Sequence, residues 1–395
     1  MYVKRIAEQR LKGILEGSKV GIVLGARQVG KTTLVEHALA GRNAVVLNFD
    51  VEIDKHRFLA AAALSPSEGL KTLGSPDVLV VDEAQRLPEA SRIIKGWCDA
   101  RLPVKILLLG SSSLSLLDQT AESLTGRNEK LLLPPLVFQE TLCVEDWYSD
   151  RYTSQMLHEQ FRTSLRAVLM RTLAFGSYPE VTLAADKTGL LRNLSSDYLW
   201  KDILQTGLVK SPDLIRRLLT LLAHQVGSEV STNEIATQLQ MARATVEHYL
   251  DLLEQTYVVF RLPSFSTNPR KEIARSKKVF FWDTGIRNAL LNAFSTDELR
   301  SDIGPLWENW VIAEAAKHNL LEGRPSELYF WRSRAQSEVD LVIKTGDTVR
   351  AFEIKWRPGY FATRAFAGMY GVEVRLVTSD DFLTSGLIRT ECPPR

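Results

Sequence analysis

Two hydrophobic rhythms run along this chain, and they divide it before any motif is considered. Continuous apolar runs at Val20–Leu24, at 77–81 (DVLVV) and at 104–109 (VKILLL) have the length and type of strands buried on both faces. Each ends in small or polar residues, and helix-like stretches such as 34–40 lie between them. That alternation predicts a parallel sheet with its ligand at the carboxyl edge. From 153 to 209 apolar residues recur at three- and four-residue steps, as in QMLHEQFRTSLRAVLMRTLAF, and the stretch reads as helical, punctuated by Gly176 and Pro179. Residues 212–265 read as three helices and a strand. PDLIRRLLTLLAHQVG comes first, then a helix opened by the capping pattern Ser231-Thr232-Asn233-Glu234, then RATVEHYLDLLEQT, then strand-like YVVFRLPSF. Strand-like KKVFFWD follows at 277–283. Beyond 337 the period becomes two. Glu338 to Ile343 alternates, 344–348 is turn-like, and 351–356 alternates again, with Glu353 and Lys355 on one face and Phe352 and Ile354 on the other.

Composition narrows the class without naming it. With 395 residues, 45% apolar and 24% charged, the chain has room for two to four domains of ordinary globular type. A net charge of +2 gives no general attraction to nucleic acid, so any basic surface must be local. Cys98, Cys143 and Cys392 have no metal-ligand spacing and suggest no disulfide framework, which fits a reducing cytoplasm. No run of 18 apolar residues predicts a membrane span, and the charged start MYVKRIAEQRLKG is unlike a signal peptide.

The first chemistry follows the first strand. Gly25-Ala26-Arg27-Gln28-Val29-Gly30-Lys31-Thr32 fits G-x-x-x-x-G-K-[ST] at every fixed position. Glycines let the backbone turn so that its N–H groups and a helix N-terminus face phosphates. Gly25, Gln28, Val29, Gly30, Lys31, Thr32 and Thr33 are the expected ATP contacts; Lys31 reaches the β- and γ-phosphates and the Thr32 hydroxyl is placed for Mg²⁺. The second strand ends in Asp82-Glu83. Asp82 is expected to hold the Mg²⁺ water shell and Glu83 to orient or deprotonate the attacking water. The third strand ends in Gly110-Ser111-Ser112-Ser113, where a serine either senses the γ-phosphate or caps a helix.

GARQVGKTTL, VLVVDEAQ, LLLGSSS, ESLTGR (122–127) and FGSYPEV (175–181) together resemble the AAA+-type ATPases, often called archaeal-like, whose C-terminal part is a domain of unknown function. The resemblance spans nearly the whole chain. It implies that Ser112 or its neighbour is the first sensor and that Arg127 is an arginine finger or phosphate sensor. A finger acting in trans implies a ring, in this family type a hexamer. No arginine matches a second sensor by pattern.

Three helices followed by two strands is the outline of a winged helix-turn-helix. Arg243, Thr245 and Glu247 open its last helix, the part that meets a DNA groove in such folds. Arg270, Lys271, Arg275, Lys277 and Lys278 form a basic cluster where a wing meets phosphates. The alternative is a unit that packs only on protein.

The last pattern is a pair of facing carboxylates. If Gly346-Asp347 are the central turn residues of a hairpin, Thr345 faces Thr348, Asp340 faces Glu353 and Glu338 faces Lys355. Two carboxylates with Cβ atoms roughly 5 Å apart repel unless something bridges them, and a hard divalent cation is the natural bridge. An acidic residue followed by E-x-K on a strand resembles the PD-(D/E)xK nuclease fold, and in particular the archaeal Holliday-junction resolvases, over roughly 300–380. The resemblance implies a metal held by Asp340 and Glu353, a water positioned by Lys355, and a further carboxylate from a preceding helix, Glu308 first and Glu314 second. Val339 stands where that family has proline. The alternative is a solvent ion pair on a hairpin in a domain that only binds DNA.

The sequence therefore predicts an α/β chain with four parts: a P-loop NTPase core with a parallel sheet at 1–150, a helical lid at 151–210, a winged helix at 211–270 and a restriction-endonuclease-like α/β domain at 271–395. The expected activity is ATP hydrolysis driving a motor on DNA, branched DNA such as Holliday junctions in particular. The competing readings are a nucleotide-controlled switch that docks a protein partner and, last, a transcriptional regulator.

Overall fold

Five strands carry the N-terminal part, and their order explains why the motif residues meet. They are β1 (Val20–Leu24), β2 (Ala44–Asn48), β3 (Val78–Asp82), β4 (Lys105–Gly110) and β5 (Asn128–Leu132), arranged β2-β3-β4-β1-β5 with every neighbour parallel. The computed structural model describes residues 2–111, 124–198, 211–266, 277–322, 326–333, 335, 337–359, 364–383, 385 and 387. β1 and β3 are buried along their whole length and β4 almost so, as their unbroken apolar runs require. This parallel five-stranded sheet is the core expected of a P-loop NTPase. Tyr2–Pro134 forms one unit and Pro135–Arg395 another.

The expected end of the first domain at 150 thus falls at 134. Residues after Pro134 pack into the second unit through the short helix Phe138–Leu142. Its first N–H donates to buried Glu314 at 2.7 Å, and the Lys317 ammonium donates to the Leu136 carbonyl at 3.0 Å. Both Glu314 and Lys317 lie on the long helix Ile303–Leu321, whose Trp307, Trp310, Val311 and Ile312 are buried.

The expected helical stretch holds helices Ser154–Gln160, Arg162–Phe175, Pro179–Leu183 and Lys187–Asn193. Gly176 ends the second of these at φ 71, a conformation that suits glycine. A Cβ there would lie 2.0 Å from an Asp283 carboxylate oxygen. The same carboxylate caps the helix Thr284–Leu291 and accepts from the Ser177 N–H at 2.6 Å. The FGSYPEV motif is therefore a helix junction built around a buried aspartate.

Helices Pro212–His224, Thr232–Leu239 and Arg243–Gln255 follow, the second capped by Ser231 as expected. Strands β6 (Glu229–Val230), β7 (Val259–Leu262) and β8 (Lys277–Phe281) form an antiparallel sheet ordered β6-β8-β7. β8 lies beyond the expected boundary at 270, yet it is the central strand of this sheet. The C-terminal sheet is β12-β11-β10-β9, made of β9 (Glu327–Arg332), β10 (Glu338–Thr345), β11 (Thr348–Lys355) and β12 (Val374–Thr378). Its β10–β11 hairpin pairs Thr345 with Thr348 and Leu341 with Phe352, the register the turn residues predicted. Cys98 is free, but Cys143 is disulfide-bonded, against the expectation from cysteine spacing; its partner lies outside the described residues. Among the described residues no helix is long and apolar enough to cross a membrane.

Candidate functional site

The phosphate loop leaves β1 at Gly25, where a Cβ would come within 2.2 Å of the Leu133 carbonyl oxygen. The helix Lys31–Ala38 starts directly after Gly30, three residues before the apolar pattern alone suggested. Its N-terminal amides are the donors a phosphate needs. Lys31 is buried, and its ammonium donates to the carbonyls of Gly25 and Ala26, both at 2.9 Å. Val29 is buried under the loop, Gln28 adopts φ 61, and Thr33 is exposed. Buried Arg5 ties the loop to the end of the sheet, donating to the Val29 and Pro134 carbonyls at 2.7 Å each.

Thr32 and Asp82 meet directly: the hydroxyl donates to the Asp82 carboxylate at 2.7 Å. A hydroxyl and a carboxylate at this distance form the oxygen pair that a hard Mg²⁺ ion takes, so these residues fit the metal expected of an ATP site. The other Asp82 oxygen accepts from the Glu83 N–H at 2.8 Å. Glu83 sits at φ 50, an uncommon conformation for a side-chain-bearing residue and one found at functional turns. Burial pushes its carboxyl above the ordinary range, while Lys31 and Arg27 pull it back. Gln85 donates to Glu83, Arg27 lies 3.8 Å from it, and Ser111 stands 3.4 Å away. Arg27 and Arg86 both contact Asp50, at 3.5 and 2.8 Å.

Arg27 and Gln85 were not singled out by sequence, whereas Ser111 is the neighbour that the sensor reading of Ser112 left open. Ser111 was within the GSSS stretch, and counting from the strand end would have found it, since β4 stops at Gly110. Ser112 lies outside the described residues. Arg127 is at the other edge of the sheet. Its carbonyl accepts from the Val20 N–H at the start of β1, and its guanidinium pairs with Asp99 at 2.9 Å, both side chains about half exposed. It therefore does not reach its own phosphate loop, and a sensor role in cis is corrected by this placement.

The C-terminal carboxylates meet in a different way. One register step beyond the Leu341–Phe352 pair, Asp340 and Glu353 come side by side, both buried. A bulge between Val339 and Val342 interrupts the pairing with β9 at this point and re-aims the residues inside it. Asp340 accepts from the Ile354 N–H at 2.7 Å. Burial raises Asp340, and burial with the Asp340 charge raises Glu353. Lys355 pairs with Glu353 at 2.8 Å, not with Glu338.

The expected metal set is not assembled. Glu308 accepts from the Lys278 ammonium at 3.0 Å, and Glu338 lies 2.5 Å from the same nitrogen. Lys278 is 4% exposed. It was expected on a DNA-facing surface, and that expectation is corrected: β8 turns its side chain inward. Burial raises Glu308 to about 8. Glu314 is fully buried, holding the Phe138 N–H and Lys317, and is structural. Among the described residues no group of three or more His, Cys, Asp or Glu is arranged to hold a metal ion.

The third feature is a groove of about 470 Å³ in the middle region, lined by Ser231, Thr232, Arg243, Glu247, Arg261 and Lys277 among others. Arg243 pairs with Glu247 at 2.9 Å, and Arg261 with Asp251 at 2.6 Å. Lys277 is exposed and Thr245 half-buried. Arg270, Lys271 and Arg275 lie outside the described residues.

Family profiles match three stretches: an AAA domain over residues 17–142, a domain of unknown function (DUF8612) over 166–297, and a domain of unknown function (DUF4143) over 303–379. An uncharacterized protein of Mycobacterium tuberculosis is 32% identical over 357 residues, which cover 89% of this chain and 74% of that one. An uncharacterized protein of Methanocaldococcus jannaschii is 26% identical, covering 82% and 72%. Among solved structures, a Walker-type ATPase of Pyrococcus abyssi superposes with a TM-score of 0.51 at 15% identity, over 73% of this chain and 96% of that one, and so shares its fold. The chain belongs to the family of the mycobacterial protein and is a P-loop ATPase of the AAA type.

Proposed function

We propose that this AAA-type ATPase hydrolyses ATP to move on DNA, branched DNA above all, working in the cytoplasm as a ring, hexameric by resemblance. The observation that carries the hydrolysis is the contact of Thr32 with Asp82 beside a carboxylate, Glu83, held by Gln85. Lys31 would bind the β- and γ-phosphate oxygens. Thr32 and Asp82 would hold Mg²⁺, which neutralises charge on those oxygens. Glu83 takes a proton from the attacking water, and its raised affinity for protons makes it a stronger base than an ordinary carboxylate. Arg27 and Ser111 keep that carboxylate in place. Arg127, exposed and remote from its own loop, is the residue a ring offers to a neighbour's nucleotide.

In this reading the helices and antiparallel sheet of 212–281 are a winged helix that meets DNA through Arg243, Thr245, Lys277, Arg270 and Lys271. The 303–379 region is a nuclease-like fold that holds DNA without cutting it. A second reading has one observation in its favour. The groove arginines are neutralised by Glu247 and Asp251, which suits a protein partner better than phosphates and fits a nucleotide-controlled switch. The discriminating experiment is the Mg²⁺-dependent hydrolysis rate alone and with single-stranded, duplex and four-way-junction DNA, with Lys31→Ala as the blank. Stimulation greatest with the junction is the expected result. A rate indifferent to every DNA, at low salt as well as high, overturns the motor and leaves the switch.

A further inference from the structure

We infer that the Lys278 ammonium is the resident cation of the C-terminal carboxylate site, standing where a nuclease of this pattern holds a divalent metal. The wild-type domain accordingly takes no such metal and hydrolyses no phosphodiester.

The placement of Lys278 is fixed by register. β8 pairs Lys278 with Glu229 of β6 and with Leu262 of β7, so the residue sits in the centre of a three-stranded sheet. Its neighbour Lys277 is exposed, and the period of two sends Lys278 to the other face with Phe280, which is fully buried. There the ammonium meets Glu308 from the long helix and Glu338 from β10, and lies 5.5 Å above the Phe330 ring. Asp340 is close enough to act on its charge. An ammonium has three donors and no acceptor, and oxygen ligands satisfy it as they satisfy a small metal cation.

Each of the four carboxylates gathered here already has a partner. Carboxylates gathered in a buried place repel one another and must be bridged, protonated or paired. Here Lys278 pairs two of them, the Ile354 N–H takes an oxygen of Asp340, and Lys355 takes one oxygen of Glu353. The second Glu353 oxygen is buried with no hydrogen-bond partner. That oxygen marks the place into which a cation would settle if Lys278 were withdrawn.

The test is Mn²⁺ binding to the full-length protein without nucleotide, followed by electron paramagnetic resonance and calorimetry. Wild type and Asp340→Asn are compared first, because any phosphate-loop site contributes equally to both. Equal binding is expected. A wild-type Mn²⁺ site that Asp340→Asn removes overturns the inference. Lys278→Ser is expected to gain about one Mn²⁺ per chain, as a vacated oxygen cluster draws a hard cation, and to lose it again in combination with Asp340→Asn. A folded Lys278→Ser with no gain also overturns it. Should that variant not fold, the first comparison decides alone. Neither arm involves ATP turnover or DNA, so its outcome is independent of the motor reading.

Discussion

At the end of β3, Asp82 faces a hydroxyl; in the bulge of β10, Asp340 stands beside a cluster closed by a lysine. Both aspartates are buried and each lies beside a glutamate that burial makes reluctant to ionise. The difference lies in what completes each site. Around Asp82 the partners are a hydroxyl and a backbone amide, and the phosphate-loop lysine nearby donates to loop carbonyls, an arrangement suited to phosphate oxygens and Mg²⁺. Around Asp340 the partner is a backbone amide, and the glutamates gathered beside it are met by the full charges of Lys278 and Lys355. A carboxylate pattern in a sequence thus specifies that a cation is needed and does not specify whose cation it is.

The largest effect expected from this comparison is at Glu83. Glu83→Gln should lower turnover by roughly 10²–10⁴-fold while ATP still binds, the size usual for removing a general base. Lys31→Ala should lose nucleotide binding as well. Nucleotide binding by fluorescence beside phosphate release separates the two. Glu83→Gln with full turnover would make the two aspartate sites alike, both structural.

The next effect is on stability. Lys278→Ala removes the cation from buried carboxylates and should cost about 3–5 kcal/mol by chemical denaturation. Glu308 also sets a pH dependence. Its carboxyl titrates near 4.5 when unfolded and at about 8 when folded, so folding favours the protonated form. The stability it contributes is complete below about pH 4.5 and is lost as pH rises to about 8. Glu308→Gln should flatten that decline in denaturation midpoints taken between pH 5 and 8; an unchanged slope would place the decline elsewhere.

Legibility followed contiguity. The phosphate loop and the Asp82-Glu83 pair were readable because each is a short run beside a strand of unmistakable period, and the hairpin register followed from two turn residues. Lys278 was misread because it precedes its partners by 30 and 60 residues and sits in a run of basic residues that looked like one surface. Alternation in Lys277-Lys278-Val279-Phe280-Phe281 held the signal: two adjacent lysines in a buried strand cannot both face water. Arg27 was similarly hidden, at a position of the phosphate-loop pattern that accepts any residue.

Arg27 gives a smaller effect that sharpens the first site. Its charge, with that of Lys31, opposes the burial that raises Glu83. Arg27→Ala should push the Glu83 carboxyl higher still. A base works only when unprotonated, so the acid limb of the turnover profile should move to higher pH with turnover on the alkaline side little changed. An unmoved limb with a uniform loss would assign Arg27 to holding the loop and not to setting the base.

Arg127 should show the smallest effect of all on the single chain. Its pair with Asp99 is half exposed, and such pairs are worth about 0–1 kcal/mol. Arg127→Ala should therefore leave the denaturation midpoint nearly unchanged, and turnover in dilute solution should equal that of wild type, since the residue lies at the edge of the sheet away from its own loop. If, as proposed, a ring sets the same residue against a neighbour's nucleotide, the variant should fall behind wild type as protein concentration rises. The sign of the concentration dependence carries the argument. A loss of turnover that is already complete at high dilution would mean that Arg127 serves its own phosphates, and the sheet edge on which it sits would have to rearrange to let it do so.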